Sequence, residues 1–169
     1  MKVRSNDNAT RVIATPIGKL TLVASAKGLC EINFGSDKRA GTTSQSTIQT
    51  ASQSAVVRRH LDATERQLRE YFDGKRKKFS LKLDLSGTAF QESAWRALTT
   101  IPYGQTISYS QQAKRIRKPL AVRAVGSANG KNPVAIVLPC HRVISADGSL
   151  GGYGGGLNIK RKLLALESR

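Results

Sequence analysis

A cysteine and a histidine stand side by side at Cys140 and His141, directly after the mostly apolar run 132–139. The thiolate is the nucleophilic form of cysteine, and a neighbouring imidazole, a positive helix end or fixed donors help it to form. A buried cysteine is more often a small hydrophobic residue, so the pair on its own leaves a purely structural interpretation open. Cys140 is a candidate nucleophile with a candidate base beside it.

Cys30 and Cys140 are the only cysteines in the chain. One pair cannot form the dense disulfide framework of a small secreted domain, and we expect both thiols to be reduced. The first half of the chain has one cysteine and one histidine, Cys30 and His60, and these are too few for a four-ligand structural zinc site. We therefore predict no metal and no cofactor, with Cys30 buried in a strand.

Basic residues dominate the charge: 28 Lys and Arg against 11 Asp and Glu give a net charge of +17 over 169 residues. Neutralising phosphates releases condensed counterions and gives affinity independent of sequence, so nucleic acid is the leading candidate partner. Binding to anionic lipid would need a basic amphipathic helix with large apolar residues opposite, and no segment shows that pattern clearly. Solubility alone is a further explanation of the charge.

The hydrophobic fraction of 39% is spread along the chain, and no uninterrupted apolar run has membrane-spanning length. Polar residues follow the Met-Lys-Val-Arg sequence at positions 1–4, whereas a secretory signal would continue with an apolar stretch. These features predict a soluble cytoplasmic protein with no membrane partner.

Alternating apolar residues near the start of the chain predict a three-stranded meander over 11–15, 19–24 and 29–34, with a glycine in each connecting turn. The segment 35–54 is rich in Ser, Thr and Gln and has almost no large apolar side chains. Such a composition is typical of a solvated loop.

An amphipathic helix is predicted over 55–72, because its apolar residues recur at helical spacing and Asp73-Gly74 supplies a stop. The alternation over 79–83 is typical of a short strand. The pattern changes after this point, so we predict a domain over 1–84 and a second domain over 85–169.

The second half has short helical segments separated by tight turns, which predict a helix-turn-helix arrangement. Ser108 can cap one helix, and Pro119 stands where a proline best starts the next. Only 116–118 separate these two helices. A glycine-rich loop at 148–156 precedes the last helix. The predicted helices cover 89–100, 108–115, 120–129 and 158–167.

The motifs of this half resemble those of the O6-alkylguanine-DNA alkyltransferases, the methylated-DNA–protein-cysteine methyltransferases. The central motif is Pro139-Cys140-His141-Arg142-Val143, preceded by Asn132-Pro133. Further matches occur in order and with family-like spacing at 87–91 with Trp95, 101–104, 108–109, 122–126, 152–156 and 160–164. The first half matches more thinly, at 14–22, 28–29 and 68–74.

The resemblance implies an α+β protein with a small RNase-H-like amino-terminal domain and a winged helix-turn-helix carboxy-terminal domain. It implies DNA repair by direct damage reversal, in which an alkyl group such as methyl moves irreversibly from O6 of guanine, and also from O4 of thymine, onto Cys140. The implied partner is double-stranded DNA containing O6-alkylguanine, bound by a protein that is a monomer in solution and can assemble cooperatively on DNA. The target atom lies inside the duplex, so the nucleotide must be flipped out.

Five residues receive catalytic roles from the resemblance. Cys140 accepts the alkyl group, His141 acts as a base through a bound water, and Glu167 orients the histidine. Tyr109 drives nucleotide rotation and donates its hydroxyl hydrogen to guanine N3, which offsets the charge left on the purine. Asn132 ties the helix-turn-helix to the active-site loop. Without the motif, Tyr109 would be interpreted as a core aromatic and Glu167 as a solvated helix end.

The glycine-rich loop corresponds, by the same resemblance, to the wall of the alkyl pocket. Tyr153 packs in this wall, and the backbone amide of Gly154 donates to guanine O6. The carbonyls of Cys140 and Val143 accept from the exocyclic amine of guanine. Adenine would be rejected because it would leave these acceptors unpaired.

Arg123 matches the family residue that enters the base stack from the second helix of the helix-turn-helix and fills the vacated space. Ordinary phosphate contact is the alternative role for this arginine. Small residues around it allow close approach to the DNA backbone. The predicted DNA-binding residues besides Arg123 are Ser108, Ala124, Gly126, Ser127 and Ala128.

The turn of the helix-turn-helix departs from the family pattern, in which a glycine is usual, because Arg117 stands at about that point. Arginine is unfavourable there if the backbone needs a positive φ angle. Its charge would strengthen phosphate contact, so we expect tight, salt-sensitive DNA binding with little sequence preference.

Three other functions compete with alkyl transfer. A non-catalytic module that recognises alkylation damage would lack the cysteine that this chain retains at position 140. A DNA-binding regulator would carry an additional cysteine-rich sensor domain. A thiol hydrolase using Cys140 and His141 would release the alkyl group instead of keeping it.

Overall fold

The computed structural model describes residues 8–35 and 54–169, so most of the predicted solvated loop over 35–54 lies outside the described residues. The chain divides into two compact units, Met1–Leu85 and Ser86–Arg169. Helices and strands are both present, as predicted for an α+β protein. Among the described residues, no helix combines the length and the apolar character needed to cross a membrane.

The first unit contains the predicted meander. Strands β1 (Ala9–Thr15), β2 (Gly18–Ala24) and β3 (Leu29–Phe34) form an antiparallel sheet in the order β1-β2-β3. Helix α1 (Ala55–Phe72) follows, and the Ser54 side chain caps it by accepting from the amide of Val57. The three strands and the helix confirm the sequence prediction for this part of the unit.

Helix α1 packs on the sheet through its apolar stripe, which the sequence periodicity identifies. Arg11 on β1 reinforces the contact by pairing with Asp62 at 2.8 Å and Glu65 at 3.0 Å on the helix. The fully buried side chains of this core include Leu20, Leu22, Leu29, Leu61, Leu68 and Tyr71.

The predicted strand over 79–83 is wrong, because only Leu83 pairs with a strand, through an isolated bridge to Leu29. The buried side chain of Gln67 takes both backbone groups of Ser80: it donates to the carbonyl at 3.0 Å and accepts from the amide at 2.8 Å. A side chain therefore satisfies the backbone that a strand ladder would have used.

Cys30 lies in β3 as predicted, but it is only partly buried, which corrects the prediction of a buried thiol. Leu29 and Ile32 take the buried positions of this strand instead. Burial raises the pKa of the Cys30 thiol, with the charge of Asp84 adding to the shift and a hydrogen bond from Ser25 opposing it.

The second unit is mainly helical. It contains α2 (Ala89–Leu98), β4 (Ile107–Ser108), α3 (Tyr109–Arg115), α4 (Val122–Gly130), a 3₁₀ helix (Cys140–Arg142), β5 (Val143–Ile144) and α5 (Leu157–Glu167). The two short strands pair in parallel, with Ile107 opposite Val143. Strands of two residues carry no periodic pattern, so the sequence did not predict them.

Buried polar contacts lock α2, α3 and α4 together. The indole of Trp95 donates to the Ala128 carbonyl at 2.8 Å. Gln112 and Asn129 exchange amide hydrogen bonds of 3.0 and 2.7 Å, and Gln112 also donates to the Ala94 carbonyl at 3.0 Å. Satisfied buried amides of this kind permit one relative arrangement of the helices.

Helix α3 ends in a Schellman motif at the turn of the helix-turn-helix. The amide of Lys118 donates to the Ala113 carbonyl and that of Arg117 to the Lys114 carbonyl, both at 2.9 Å. Arg117 has a φ of 58°, the left-handed conformation that usually selects glycine at this position. The turn therefore has the positive φ for which the family usually has a glycine, and in this chain Arg117 adopts it.

Helix α4 begins at Val122, two positions later than predicted. The amide of Ala121 donates to the Lys118 carbonyl at 2.9 Å and closes a separate turn, so Pro119 lies in the connection and does not start the helix. The connection consequently spans 116–121 and not 116–118.

Candidate active site

A cavity of about 540 Å³ opens in the second unit, within the size range of pockets that bind small molecules. Residues from α3, α4, the 3₁₀ helix and the glycine-rich loop surround it. They are Tyr109, Val122, Gly126, Asn129, Gly130, Cys140, Gly152, Tyr153 and Gly154.

Cys140 begins the 3₁₀ helix and contributes its thiol to the cavity wall, with 8% of the residue exposed. Burial raises the pKa of the thiol, while a hydrogen bond from Asn132 and the positive charge of Lys160 act in the opposite direction. The resting side chain is therefore a neutral thiol. Conversion to the thiolate requires a base at the time of reaction.

His141 is fully buried beside the cysteine, and its Nε2 lies 2.7 Å from Oε1 of the buried Glu167. A carboxylate can only accept, so Nε2 carries the hydrogen and Nδ1 carries the lone pair. Burial lowers the pKa of His141, although the hydrogen bond and charge of Glu167 oppose the shift, so the imidazole is neutral. Nδ1 is buried and has no hydrogen-bond partner among the described residues, which leaves it able to accept a proton.

Arg142 anchors the same carboxylate from the other side. Its Nε and Nη2 donate to the two oxygens of Glu167 at 2.8 and 2.9 Å, and its Nη1 donates to the Ile101 carbonyl at 2.7 Å. The amide of Gly104 adds a donor to Glu167 at 3.2 Å. The negative charge of the carboxylate is thus balanced by the guanidinium, and the histidine can remain neutral.

Tyr109 is the first residue of α3 and lines the cavity. The preceding Ser108 caps the helix by accepting from the Gln111 amide, and the Gln111 side chain accepts from the Ser108 amide, so the start of the helix is fixed. Burial raises the pKa of the phenol, the charge of Cys140 raises it further, and a backbone hydrogen bond from Gly152 opposes them. The hydroxyl is therefore protonated and able to donate.

Lys160 forms hydrogen bonds to backbone carbonyls of the glycine-rich loop. Its ammonium group is buried and donates to the carbonyls of Val143 at 2.7 Å, Leu150, and Gly152 at 3.2 Å. These bonds connect α5 to β5 and to the loop that walls the cavity. The loop conformation beside Cys140 therefore depends on a buried cation.

Asn132 follows α4 and ties the buried segment before the cysteine. Its Nδ2 donates to the Leu138 carbonyl at 2.7 Å, and its Oδ1 accepts from the Val134 amide at 3.0 Å. Within this segment Ile136 has a φ of 74°, which is unfavourable for a β-branched residue. Asn132 thus stabilises the irregular backbone that places Cys140 in the cavity wall.

The outward face of α4 carries Arg123, Ala124 and Ser127, all of which are exposed, while Gly126 faces the cavity. Ala128 is the exception among the predicted DNA-binding residues. It is 2% exposed and its carbonyl accepts from Trp95, so its side chain belongs to the core and cannot contact a partner. This position corrects the prediction for Ala128.

Comparison with known proteins supplies the family. A curated methylated-DNA–protein-cysteine methyltransferase from Methanosarcina barkeri is 45% identical over 156 residues, covering 92% of this chain and 94% of the relative. The chain belongs to the methylated-DNA–protein-cysteine methyltransferase family. The Mycobacterium tuberculosis methyltransferase of strain H37Rv is 46% identical over 157 residues, 93% of this chain and 90% of its own. The resemblance stated from the motifs is confirmed.

Family models assign both parts of this methyltransferase family member. The ribonuclease-like domain of 6-O-methylguanine DNA methyltransferase matches residues 9–85, and the DNA binding domain matches 89–169. The crystal structure of Mycobacterium tuberculosis OGT in complex with DNA superposes with a TM-score of 0.78 at 44% identity, covering 94% of this chain and 92% of that one. The predicted fold class is confirmed.

Five of the site residues named from the sequence, including Gly126, line one cavity of this methyltransferase family member. Tyr109, Cys140, Tyr153 and Gly154 line it, and His141 packs edge-on against Tyr153 with 6.5 Å between ring centres. The Val143 residue is fully buried, and its carbonyl accepts from Lys160. The chemical roles assigned to these residues remain predictions.

Sequence reasoning gave no role to Arg142, Lys160 or Gly104, which complete the site of this family member. The position of Arg142 beside an apolar segment could have indicated a role, because an arginine that is buried requires a charged or polar partner. Lys160 stands in a helix with exposed basic neighbours and offers no comparable signal. Its buried position depends on how α5 packs.

Proposed function

We propose that this protein repairs alkylated DNA by moving an alkyl group from O6 of guanine, and also from O4 of thymine, onto Cys140. The proposal rests on one observation above all: the Cys140 thiol faces the same cavity as the Tyr109 phenol and the glycine-rich loop, and a buried His141–Glu167 pair adjoins it. Family membership and the relative whose structure was solved with DNA support a duplex DNA partner.

The reaction that we propose is a displacement at the alkyl carbon. The Cys140 sulfur attacks this carbon, the carbon–O6 bond breaks, and its electron pair passes to the purine. His141 takes the thiol proton at Nδ1 through an intervening water. Tyr109 donates its hydroxyl hydrogen toward guanine N3 and so offsets the developing negative charge. The product is a thioether with no route back to the thiol, so each protein molecule reacts once.

Two residues act by positioning the reacting groups. Glu167 keeps the hydrogen of His141 on Nε2 and thereby leaves Nδ1 as the base. Asn132 holds the segment before Cys140, and its hydrogen bond to the sulfur favours the thiolate as it forms.

Recognition of the base uses backbone groups in this proposal. The Gly154 amide donates to O6, and the carbonyls of Cys140 and Val143 accept from the exocyclic amine. The Val143 carbonyl already accepts from Lys160, and its second lone pair would serve the base. Tyr153 closes the alkyl side of the cavity.

DNA contact is assigned to the exposed face of α4 and the capped start of α3. Arg123 would replace the flipped nucleotide in the stack, with Ala124, Gly126 and Ser127 permitting close approach and Ser108 contacting the backbone. The exposed basic side chains of Arg117 and Lys118, at the turn of the helix-turn-helix, would contact phosphates. We further propose a monomer that assembles cooperatively on DNA.

The carboxy-terminal domain, 85–169 in our proposal, carries transfer and DNA contact together, since every proposed site residue falls within it. The amino-terminal domain, 1–84, has no reacting group in this scheme. A cytoplasmic location remains a prediction from the sequence, and the two free thiols are compatible with it.

Intact-protein mass spectrometry after incubation with duplex DNA carrying O6-methylguanine tests the proposed function. We expect one added methylene per molecule, located at Cys140, with Cys30→Ala behaving as wild type and Cys140→Ala unmodified. Binding without transfer would indicate a damage-recognition module or a regulator. Repair of many lesions per molecule would indicate a hydrolase and overturn the proposal.

A further inference from the structure

Leu120 is 98% exposed, in the connection that precedes α4. The other exposed large hydrophobic residues of the described chain, Val12, Val56 and Leu157, show 52%, 45% and 41%. A side chain so fully in water contributes nothing to the core and is available to contact a partner.

Exposed cations flank this leucine on both sides. Arg117 and Lys118 precede it and Arg123 follows it, and within residues 8–35 and 54–169 none of the three forms an ion pair or a side-chain hydrogen bond. The Schellman motif at Arg117 fixes the path of the chain just before this segment. An apolar tip between unpaired cations fits a partner with apolar surface between anions.

The start of α4 adds a further preference for anions. Ala121 caps the helix without a side-chain hydrogen bond, and the first turn contains no acidic residue. The first amides of the helix, beginning at Val122 two positions after Leu120, are therefore open to an external acceptor. Duplex DNA presents this combination, because deoxyribose and base edges lie between rows of phosphate.

We propose that Leu120 is an apolar DNA contact residue, which packs against deoxyribose or an unstacked base beside the extruded nucleotide while Arg117 and Lys118 contact phosphates. Apolar side chains of this size are used as wedges by proteins that disturb base stacking. The inference rests on the proposed function for the identity of the partner. It assigns to Leu120 a part of the affinity that is independent of charge.

The decisive comparison is between Leu120→Ala and Val56→Ala, which removes a less exposed apolar side chain from the first unit. Affinity is measured by fluorescence anisotropy with a labelled duplex, which reports the contact whether or not transfer occurs. We expect Leu120→Ala to weaken binding by about threefold to tenfold, the scale of a lost apolar contact, and Val56→Ala to leave it unchanged.

Salt dependence separates an apolar contact from a change in charge. The slope of log K against log salt should be the same for Leu120→Ala and wild type, whereas Lys118→Ala should reduce it by about one phosphate contact. Leu120→Met should retain binding. Equal affinities of Leu120→Ala and Val56→Ala for the duplex would overturn the proposal and would favour a protein partner for this surface.

Transfer assays distinguish this proposal from the proposed function. Leu120→Ala should transfer more slowly from subsaturating duplex than Val56→Ala, with no difference between them on free O6-methylguanine base. Equal loss on both substrates would indicate misfolding of the site and overturn the DNA-contact role. Wild-type protein that binds duplex but transfers from neither substrate would refute the proposed function, and the anisotropy comparison would still decide the role of Leu120.

Discussion

The backbone of Gly151 lies directly against the phenol of Tyr109. A β-carbon on Gly151 would stand 2.8 Å from the Tyr109 hydroxyl oxygen and 3.0 Å from a ring carbon. Gly151 also has a φ of +69°, which side chains disfavour. The position of the phenol in the cavity therefore depends on the absence of a side chain at residue 151.

Gly151→Ala is expected to displace the phenol or the loop and to slow alkyl transfer from duplex DNA by about 10- to 100-fold, the effect of a misplacement of about 1 Å. Gly148→Ala is the matched control, because Gly148 also has a positive φ, of +85°, does not line the cavity, and has nothing within 4 Å of its β-carbon position outside its chain neighbours. Single-turnover rates of the two variants provide the measurement. Similar rates for both would show that the contact with Tyr109 has no role.

Glu167→Gln is expected to lower the free energy of unfolding by about 3 to 5 kcal/mol, because Arg142 would remain buried without its counter-charge. Glu92→Gln removes the carboxylate of the partly exposed Glu92–Arg96 pair and should cost less than about 1 kcal/mol. Urea unfolding measures both. Transfer should also slow in Glu167→Gln, since the histidine loses the acceptor that sets its tautomer.

Because the imidazole of His141 is buried, we predict that the rate of transfer falls at acid pH only below the usual pKa of histidine. Burial lowers the pKa of His141 from its ordinary value of 6.5, and only the neutral ring can accept a proton. The rate of transfer should stay constant from neutral pH down to 6.5 and fall only below it. A limb centred at or above 6.5 would refute a neutral, buried base.

The same shift links stability to pH. Below 6.5 the unfolded chain binds a proton on His141 that the folded chain does not, so the free energy of unfolding rises with pH between the folded-state pKa and 6.5. The contribution is at most about 1.4 kcal/mol per pH unit. His141→Gln should show a shallower slope in urea titrations across this window, and an unchanged slope would argue against the shift.

Arg117→Gly is expected to raise the free energy of unfolding by up to about 1 kcal/mol, because glycine adopts a φ of 58° without steric cost. Lys114→Gly, inside α3, should lower it by about 1 kcal/mol. Both variants lose one positive charge, so the comparison isolates the backbone. Destabilisation by both would mean that the side chain of Arg117 stabilises the turn.

The helices and the meander were predictable because their signals are local. Hydrophobic periodicity places α1, and capping residues such as Ser54 and Ser108 mark where helices begin. The segment over 79–83 has the same local signal as a strand, yet Gln67, distant in sequence, takes the backbone of Ser80. A local sequence pattern cannot show that a side chain from another element will bind the backbone groups of a predicted strand.

The sequence by itself determined the family and predicts Cys140 as the nucleophile and His141 as the base, because Pro139-Cys140-His141-Arg142 and its companion motifs are contiguous and ordered. Only the tertiary structure decided which charges are buried. Glu167 meets His141 and Arg142, Lys160 reaches the loop carbonyls, and Ala128 turns into the core because α2 and α5 pack where they do. Burial and long-range pairing depend on the packing of whole elements, and no local spacing encodes that packing.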